Sequence, residues 1–133
     1  SMIAVARKRY PSNDYVVGDM RRLEIADESL VGIVAFYSMI HLKPQEVFPV
    51  VREMARVLVP GGGLLVAFHR GAGTLHEDEE LGQPVAFDCT LFEPEEISSS
   101  LEEVCFRLEE VTVREPYDFE YPTTRVYLWG KKT

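Results

Sequence analysis

The sequence predicts an α/β fold in which parallel strands alternate with helices and an antiparallel strand pair closes the chain. Three observations carry that expectation. Short runs at Tyr15–Val17, Leu30–Tyr37 and Leu64–Phe68 are almost continuously apolar, the pattern of parallel strands covered on both faces. Stretches of helical spacing lie between them. Near the end, Val126 and Leu128 alternate with Arg125, Tyr127 and Trp129; with Val111–Val113 this reads as a more exposed, antiparallel pair near a sheet edge.

The elements follow in order. Met2–Tyr10 reads as a helix ended by Pro11-Ser12-Asn13. Pro49 can open a helix in its first turn, after which Val50, Val51, Met54, Val57 and Leu58 form one apolar stripe at spacings of three and four. Pro60 and Gly61–Gly63 should stop it and turn the chain into the next strand. Gly71–Asp88 shows no clear period and reads as a long loop. A further helix opens at Pro94, with Glu95 and Glu96 favourably placed against the helix dipole and Ile97, Leu101 and Val104 on its buried face. Such alternation predicts one doubly wound domain with right-handed crossovers over residues 1–133.

Composition narrows the function. At 133 residues, with 46% hydrophobic and 27% charged, the chain buries a sufficient core without a metal or disulfide staple. The net charge of −8 and the dispersed basic residues argue against nucleic-acid binding, which needs a clustered basic face. Cys89 and Cys105 form no CxxC pair and lie away from histidines, so they read as reduced and buried rather than as zinc ligands. The run His76-Glu77-Asp78-Glu79-Glu80 lacks the alternating spacing of a calcium loop, and no metal site is expected. No signal peptide and no apolar run of spanning length is seen, which points to a cytoplasmic protein without membrane association.

Ligands of open α/β sheets bind beyond the carboxyl ends of the strands. Here those ends are Gly18-Asp19-Met20, Ser38-Met39-Ile40-His41 and His69-Arg70. The segments Val16-Val17-Gly18-Asp19-Met20, Asp27-Glu28-Ser29-Leu30, Val34-Ala35-Phe36-Tyr37-Ser38-Met39-Ile40-His41-Leu42 and Arg56-Val57-Leu58-Val59-Pro60-Gly61-Gly62, in that order and spacing, resemble class I S-adenosylmethionine-dependent methyltransferases. The resemblance runs from Met2 to about Gly130. It implies a Rossmann-like, three-layer methyltransferase sheet with S-adenosylmethionine as cofactor. Asp19 would then accept from the adenine amino group, Met20 would pack on the adenine ring, and Tyr37 and Ser38 would line the methionine part.

The resemblance also has a gap. The family's Gly-rich loop and the acidic residue that holds the ribose have no counterpart, and Gly71–Gly73 follows the wrong strand. The expectation is therefore the C-terminal two-thirds of a methyltransferase domain, missing the first two strands and binding cofactor weakly or not at all by itself. In the complete sheet the missing strands lie between Tyr15–Val17 and Leu30–Tyr37. Either the first strand here docks directly on the second, giving a five-stranded sheet, or two copies pair as a homodimer across the open edge.

Among catalytic candidates, His41 and His69 sit at strand ends and are placed to act as a general base; packed or surface histidines are the plainer reading. Phe87, Phe92, Tyr117 and Phe119 are candidates to line an acceptor pocket or, equally, core residues. Two functions follow: a methyltransferase, or a piece of one, for a small-molecule acceptor, or a non-catalytic methyltransferase-like remnant serving as a binding module.

Overall fold

A computed structural model describes the backbone of residues 1–80 and 83–133, with side chains other than those of 77, 79, 80 and 83–87. Helix α1 (Met2–Arg9) is followed by β1 (Leu30–Phe36), two single-turn 3-10 helices (Met39–His41 and Pro44–Glu46), α2 (Val47–Val57) and β2 (Leu58–His69). Then come β3 (Thr74–Glu80), β4 (Gln83–Thr90), α3 (Pro94–Glu103), β5 (Phe106–Arg114) and β6 (Arg125–Lys132). The main sheet has the order β1-β2-β6-β5, and β3-β4 form a separate pair. β1 runs parallel to β2, while β6 is antiparallel to both β2 and β5, so the expected C-terminal antiparallel pair is present.

The core lies on one face of this sheet. Register pairs Ile33 with Leu64, Ala35 with Val66, Val66 with Leu128 and Phe68 with Val126, so these side chains share a face. They join one apolar cluster with Val50, Val51 and Met54 of α2 and Ile97 and Leu101 of α3. Each of the larger buried side chains contributes about 1.5–3 kcal/mol relative to exposure. The stripe read along α2 is buried as expected, but the helix starts at Val47 rather than Pro49. The Glu46 carboxylate accepts from the Lys43 N–H (2.8 Å) behind Pro44, which starts the winding earlier. Pro49 falls within the first turn, where its missing N–H is not needed. α3 starts at Pro94 as read, with Glu93 N–H donating to the Glu96 carboxylate (2.6 Å); Ile97 and Leu101 are fully buried and Val104 is half-buried.

Five sequence expectations are corrected. Tyr15–Val17 forms no strand and does not dock on β1, so the sheet has four strands and not five. Three residues make too few pairings to hold a ladder, and this segment is fixed instead by Arg7 Nη2 donating to the Tyr15 carbonyl (2.8 Å). Val16 and Val17 are 82% and 77% exposed. β1 is likewise not covered on both faces: Val31, Val34 and Phe36 are 83%, 69% and 52% exposed because β1 is an edge strand with helices packed on one side only. Pro60 and the glycines do not stop α2, which ends at Val57; they form the irregular stretch where the register jumps from Leu30↔Leu58 to Gly32↔Gly63.

Within the stretch read as a loop, 74–80 and 83–88 are strand, paired antiparallel as β3 and β4. Gly71 and Gly73, at φ +149° and +82°, lead into β3 and not into a helix. Thr90 Oγ1 donates to the Leu42 carbonyl (2.6 Å) and fastens the hairpin to the body. Cys89 is buried as expected, whereas Cys105 is exposed. Cys105 takes the left-handed position after α3 (φ +73°), which lifts its side chain out of the apolar face. Arg56 ties the segment before β1 to α2, donating to the carbonyls of Leu23 (2.9 Å) and Ile25 (2.8 Å) and pairing with Glu53 and Asp27.

Candidate functional site

The carboxyl ends of β1 and β2 lie side by side, since Phe36 pairs with Ala67 and the Tyr37 N–H donates to the Ala67 carbonyl (2.9 Å). Tyr37 then turns the chain off the strand at φ +50°, and Ser38 precedes the 3-10 turn that buries Met39 and Ile40. The Tyr37 ring stacks on His69 (centroids 5.0 Å apart, 26° between planes). Its hydroxyl lies 3.0 Å from that of Tyr127 on β6. Sequence reading found Tyr37 and His69 separately; the fold brings them into contact.

β6 and the turn before it complete the cluster. Thr123 Oγ1 lies 2.6 Å from His69 Nδ1. Arg114 Nη2 donates to the Tyr127 hydroxyl (3.2 Å), and its guanidinium grips Glu120 (2.7 and 3.1 Å) while lying 4.2 Å from the centre of the Tyr117 ring. The buried Arg125 pairs with the same Glu120 (3.0 Å) and donates to the carbonyls of Tyr121 (2.9 Å) and Thr123 (2.7 Å). Thr123, Tyr127, Arg114, Glu120 and Arg125 were absent from the sequence candidates. The β5-β6 pairing and the segment between those strands gather them, a tertiary fact with no local signal.

Electrostatics follow from these contacts. Burial, then the hydrogen bond with Tyr127, pushes the Tyr37 phenol up to about 12. Tyr127 is held below the usual phenol range by Tyr37 and Arg114. Burial, reinforced by the Arg125 charge, lowers His69 and keeps its ring neutral near pH 7. The Arg114 hydrogen bonds hold Glu120 down at about 2.

Asp19 and Met20 stand in a turn closed by a bridge between Asp19 and Arg22. Met20 packs partly into the core. The Asp19 carboxylate is half-exposed and accepts from the Arg21 N–H (2.9 Å), Nε (3.0 Å) and Nη2 (2.8 Å), while Arg21 Nη1 reaches Glu46 (2.8 Å). The Arg21 side chain, then its backbone N–H, holds Asp19 at about 2. No hydrogen bond or ion pair joins Asp19 or Met20 to the Tyr37–His69 cluster among the described residues. His41 is exposed on its 3-10 turn.

The aromatic candidates divide. Phe92 is a core residue, edge-on to Phe68. Tyr117 and Phe119 stack on each other in the segment between β5 and β6 (5.7 Å), Phe119 being 88% exposed. The Phe87 side chain lies outside the described residues. No cluster of metal-ligating side chains occurs among the described residues, and none of their helices is long and apolar enough to cross a membrane. A surface hollow of about 630 Å³ beside α1 shares no residue with the strand ends.

Residues 1–62 match the family described as a methyltransferase domain. A methyltransferase of Streptomyces halstedii, GfsG, is 38% identical over 97 residues, which cover 68% of this chain and 34% of that protein. Over residues 1–62 the chain is thus similar to methyltransferase domains. Solved structures share the fold at lower identity. An S-adenosylmethionine-dependent methyltransferase from Methanosarcina mazei superposes with a TM-score of 0.83 at 16% identity, over 98% of this chain and 76% of that one. A 1,6-didemethyltoxoflavin N1-methyltransferase from Burkholderia thailandensis, solved with its substrate and S-adenosylhomocysteine, gives 0.69 at 13% identity, over 98% and 55%. The chain spans about a third of the length of the curated relative it matches. S-adenosylmethionine is the cofactor the family implies.

Proposed function

We propose that this chain contributes the carboxyl ends of its parallel strands to an S-adenosylmethionine site, binding the cofactor only weakly by itself, and serves methyl transfer to a small-molecule acceptor. The observation that carries the reading is the placement of Tyr37, Ser38 and His69 together at the ends of β1 and β2, where open α/β sheets take their ligands.

The residues fit the cofactor's chemistry. Asp19 stays ionised because of Arg21, and an ionised carboxylate suits an exocyclic amine. Arg21 already occupies both oxygens, so the adenine amino group would share them with it. Met20 offers a thioether beside a flat ring, and Tyr37 with Ser38 would line the methionine part. When bound, the cofactor supplies an electrophilic methyl group on a sulfonium. The net charge of −8 supports a small molecule over nucleic acid, as does the small substrate named for the Burkholderia protein. Exposed Tyr117 and Phe119 would form the apolar side of the acceptor site. Self-association through β1 belongs to the same proposal.

Titration calorimetry with S-adenosylhomocysteine tests the reading. Saturable binding weakened about tenfold or more by Asp19→Ala, as losing a hydrogen bond to a charged group predicts, supports it. Absence of binding at millimolar ligand overturns it and favours the non-catalytic remnant.

A further inference from the structure

His69 is held on several sides and open on one. Tyr37 stacks on its ring, and Nδ1 meets Thr123 Oγ1 at 2.6 Å. The backbone around it is fixed as well: Phe92 N–H donates to the His69 carbonyl (3.1 Å) and Arg70 N–H to the Thr124 carbonyl (2.8 Å). Nε2 has no hydrogen-bond partner among the described residues, yet none of their buried side-chain nitrogens or oxygens lacks a partner. Nε2 therefore reaches solvent.

A neutral imidazole with one nitrogen engaged and the other open acts as a base or as a donor, depending on tautomer. Thr123 Oγ1 accepts as readily as it donates. If it accepts from Nδ1–H, the Nε2 lone pair faces outward at the strand end. We propose that His69 takes the proton of a hydroxyl acceptor at Nε2, and that Thr123 is the positioning residue that holds the Nδ1–H tautomer.

This rests on the methyltransferase reading above. In the step, the acceptor oxygen gains the methyl carbon as its O–H bond breaks. The proton passes to Nε2, and the electron pair of the broken carbon–sulfur bond stays on sulfur. Positioned bases of this kind supply roughly 10²–10⁴-fold.

The surroundings suit an acceptor whose body is uncharged and apolar or aromatic. Phe36 lies 6.1 Å from Tyr127 and 5.9 Å from Tyr37 with half its surface exposed. The nearby guanidiniums are spoken for: Arg70 pairs with Glu93, and Arg114 and Arg125 with Glu120. An anionic acceptor would have to break one of these pairs. The charged and titratable groups around the ring are Tyr37, Tyr127, Arg114, Glu120 and Arg125.

Two measurements test the proposal. Nitrogen-edited NMR of the histidine side chains at neutral pH should show His69 protonated on Nδ1 and bare on Nε2. Thr123→Val should move the proton to Nε2 or mix the tautomers, and Thr123→Ser should restore it. Second, methylation of a phenol acceptor such as 4-nitrophenol should rise with pH through the His69 titration, and His69→Gln should lose that dependence and roughly 10²–10⁴-fold in rate. An Nε2–H tautomer in the wild type, or a pH dependence and rate kept in His69→Gln, overturns the proposal. Binding of S-adenosylhomocysteine is read in parallel. Its loss sinks the methyltransferase reading, while an Nε2–H tautomer in a protein that binds it sinks only the role of His69.

Discussion

Arg21 governs what Asp19 can do. Its guanidinium and backbone N–H grip both carboxylate oxygens, keeping the group ionised and at the same time competing with any ligand. Arg21→Ala should move the Asp19 titration from about 2 toward its ordinary 3.8, read by carboxyl carbon NMR. A carboxylate whose folded pKa is depressed contributes stability above its unfolded pKa and loses it as pH falls through the folded value. The Asp19 contribution should therefore disappear between about pH 3.8 and about pH 2, and Arg21→Ala should abolish that portion of the acid-unfolding curve. The histidines oppose each other nearer neutrality. His69 is lowered by burial, so protonation favours the unfolded chain and stability falls as pH drops below 6.5. His76, between Asp88 (2.7 Å) and Asp78 (2.9 Å), is raised, so its contribution is complete below 6.5 and is lost as pH rises through its higher folded value. Thermal melts should flatten below pH 6.5 in His69→Gln, whereas His76→Gln should remove the fall in stability as pH rises above 6.5. Equal profiles for the two variants would contradict the assignment.

At the scale of elements, the crossing of β2 and β6 depends on a missing side chain. A Cβ at Gly63 would come within 2.4 Å of the Trp129 ring, and that ring is further fixed by Nε1 donating to Glu109 (3.2 Å). Overpacking of this kind costs about 1–3 kcal/mol, so Gly63→Ala should lower the urea midpoint. In a Trp129→Ala background the same substitution should cost much less. What the sequence disclosed about these elements divides along the same physical line. The α2 stripe, the Pro94 start of α3 and the buried run of β2 were legible because period and capping are local. Leu30–Phe36 was legible as a strand, but its exposed face was not, since an apolar run does not record whether a neighbour covers it. Tyr15–Val17 failed for that reason too. β3 was hidden by His76-Glu77-Asp78-Glu79-Glu80, an acidic run that masks alternation. In the candidate site, Tyr37 and His69 were legible from the strand-end rule. Thr123, Tyr127, Arg114 and Glu120 were not, because the pairing of β5 with β6 and the segment folded between them carry these residues there.

Across the whole molecule, the two faces of the sheet are unequal. α2 and α3 seal one, while α1 buries none of its own residues and leaves Val31, Val34 and Phe36 on β1 largely exposed. β1 is also an edge: β2 pairs with it on one side and no strand lies on the other. A seven-residue apolar strand with an open row of backbone donors and acceptors is a template for another strand. A second copy is the partner always present at matching concentration, and a two-fold axis would pair β1 with itself in a self-complementary contact. We therefore expect concentration-dependent association by sedimentation velocity. Val34→Lys puts a charge in the middle of β1 without touching the buried Ala35 or the core, so it should return the chain to a monomer with an unchanged melting temperature. A wild-type chain that stays monomeric at high concentration, or a Val34→Lys variant that associates as strongly as the parent, would remove β1 as the contact.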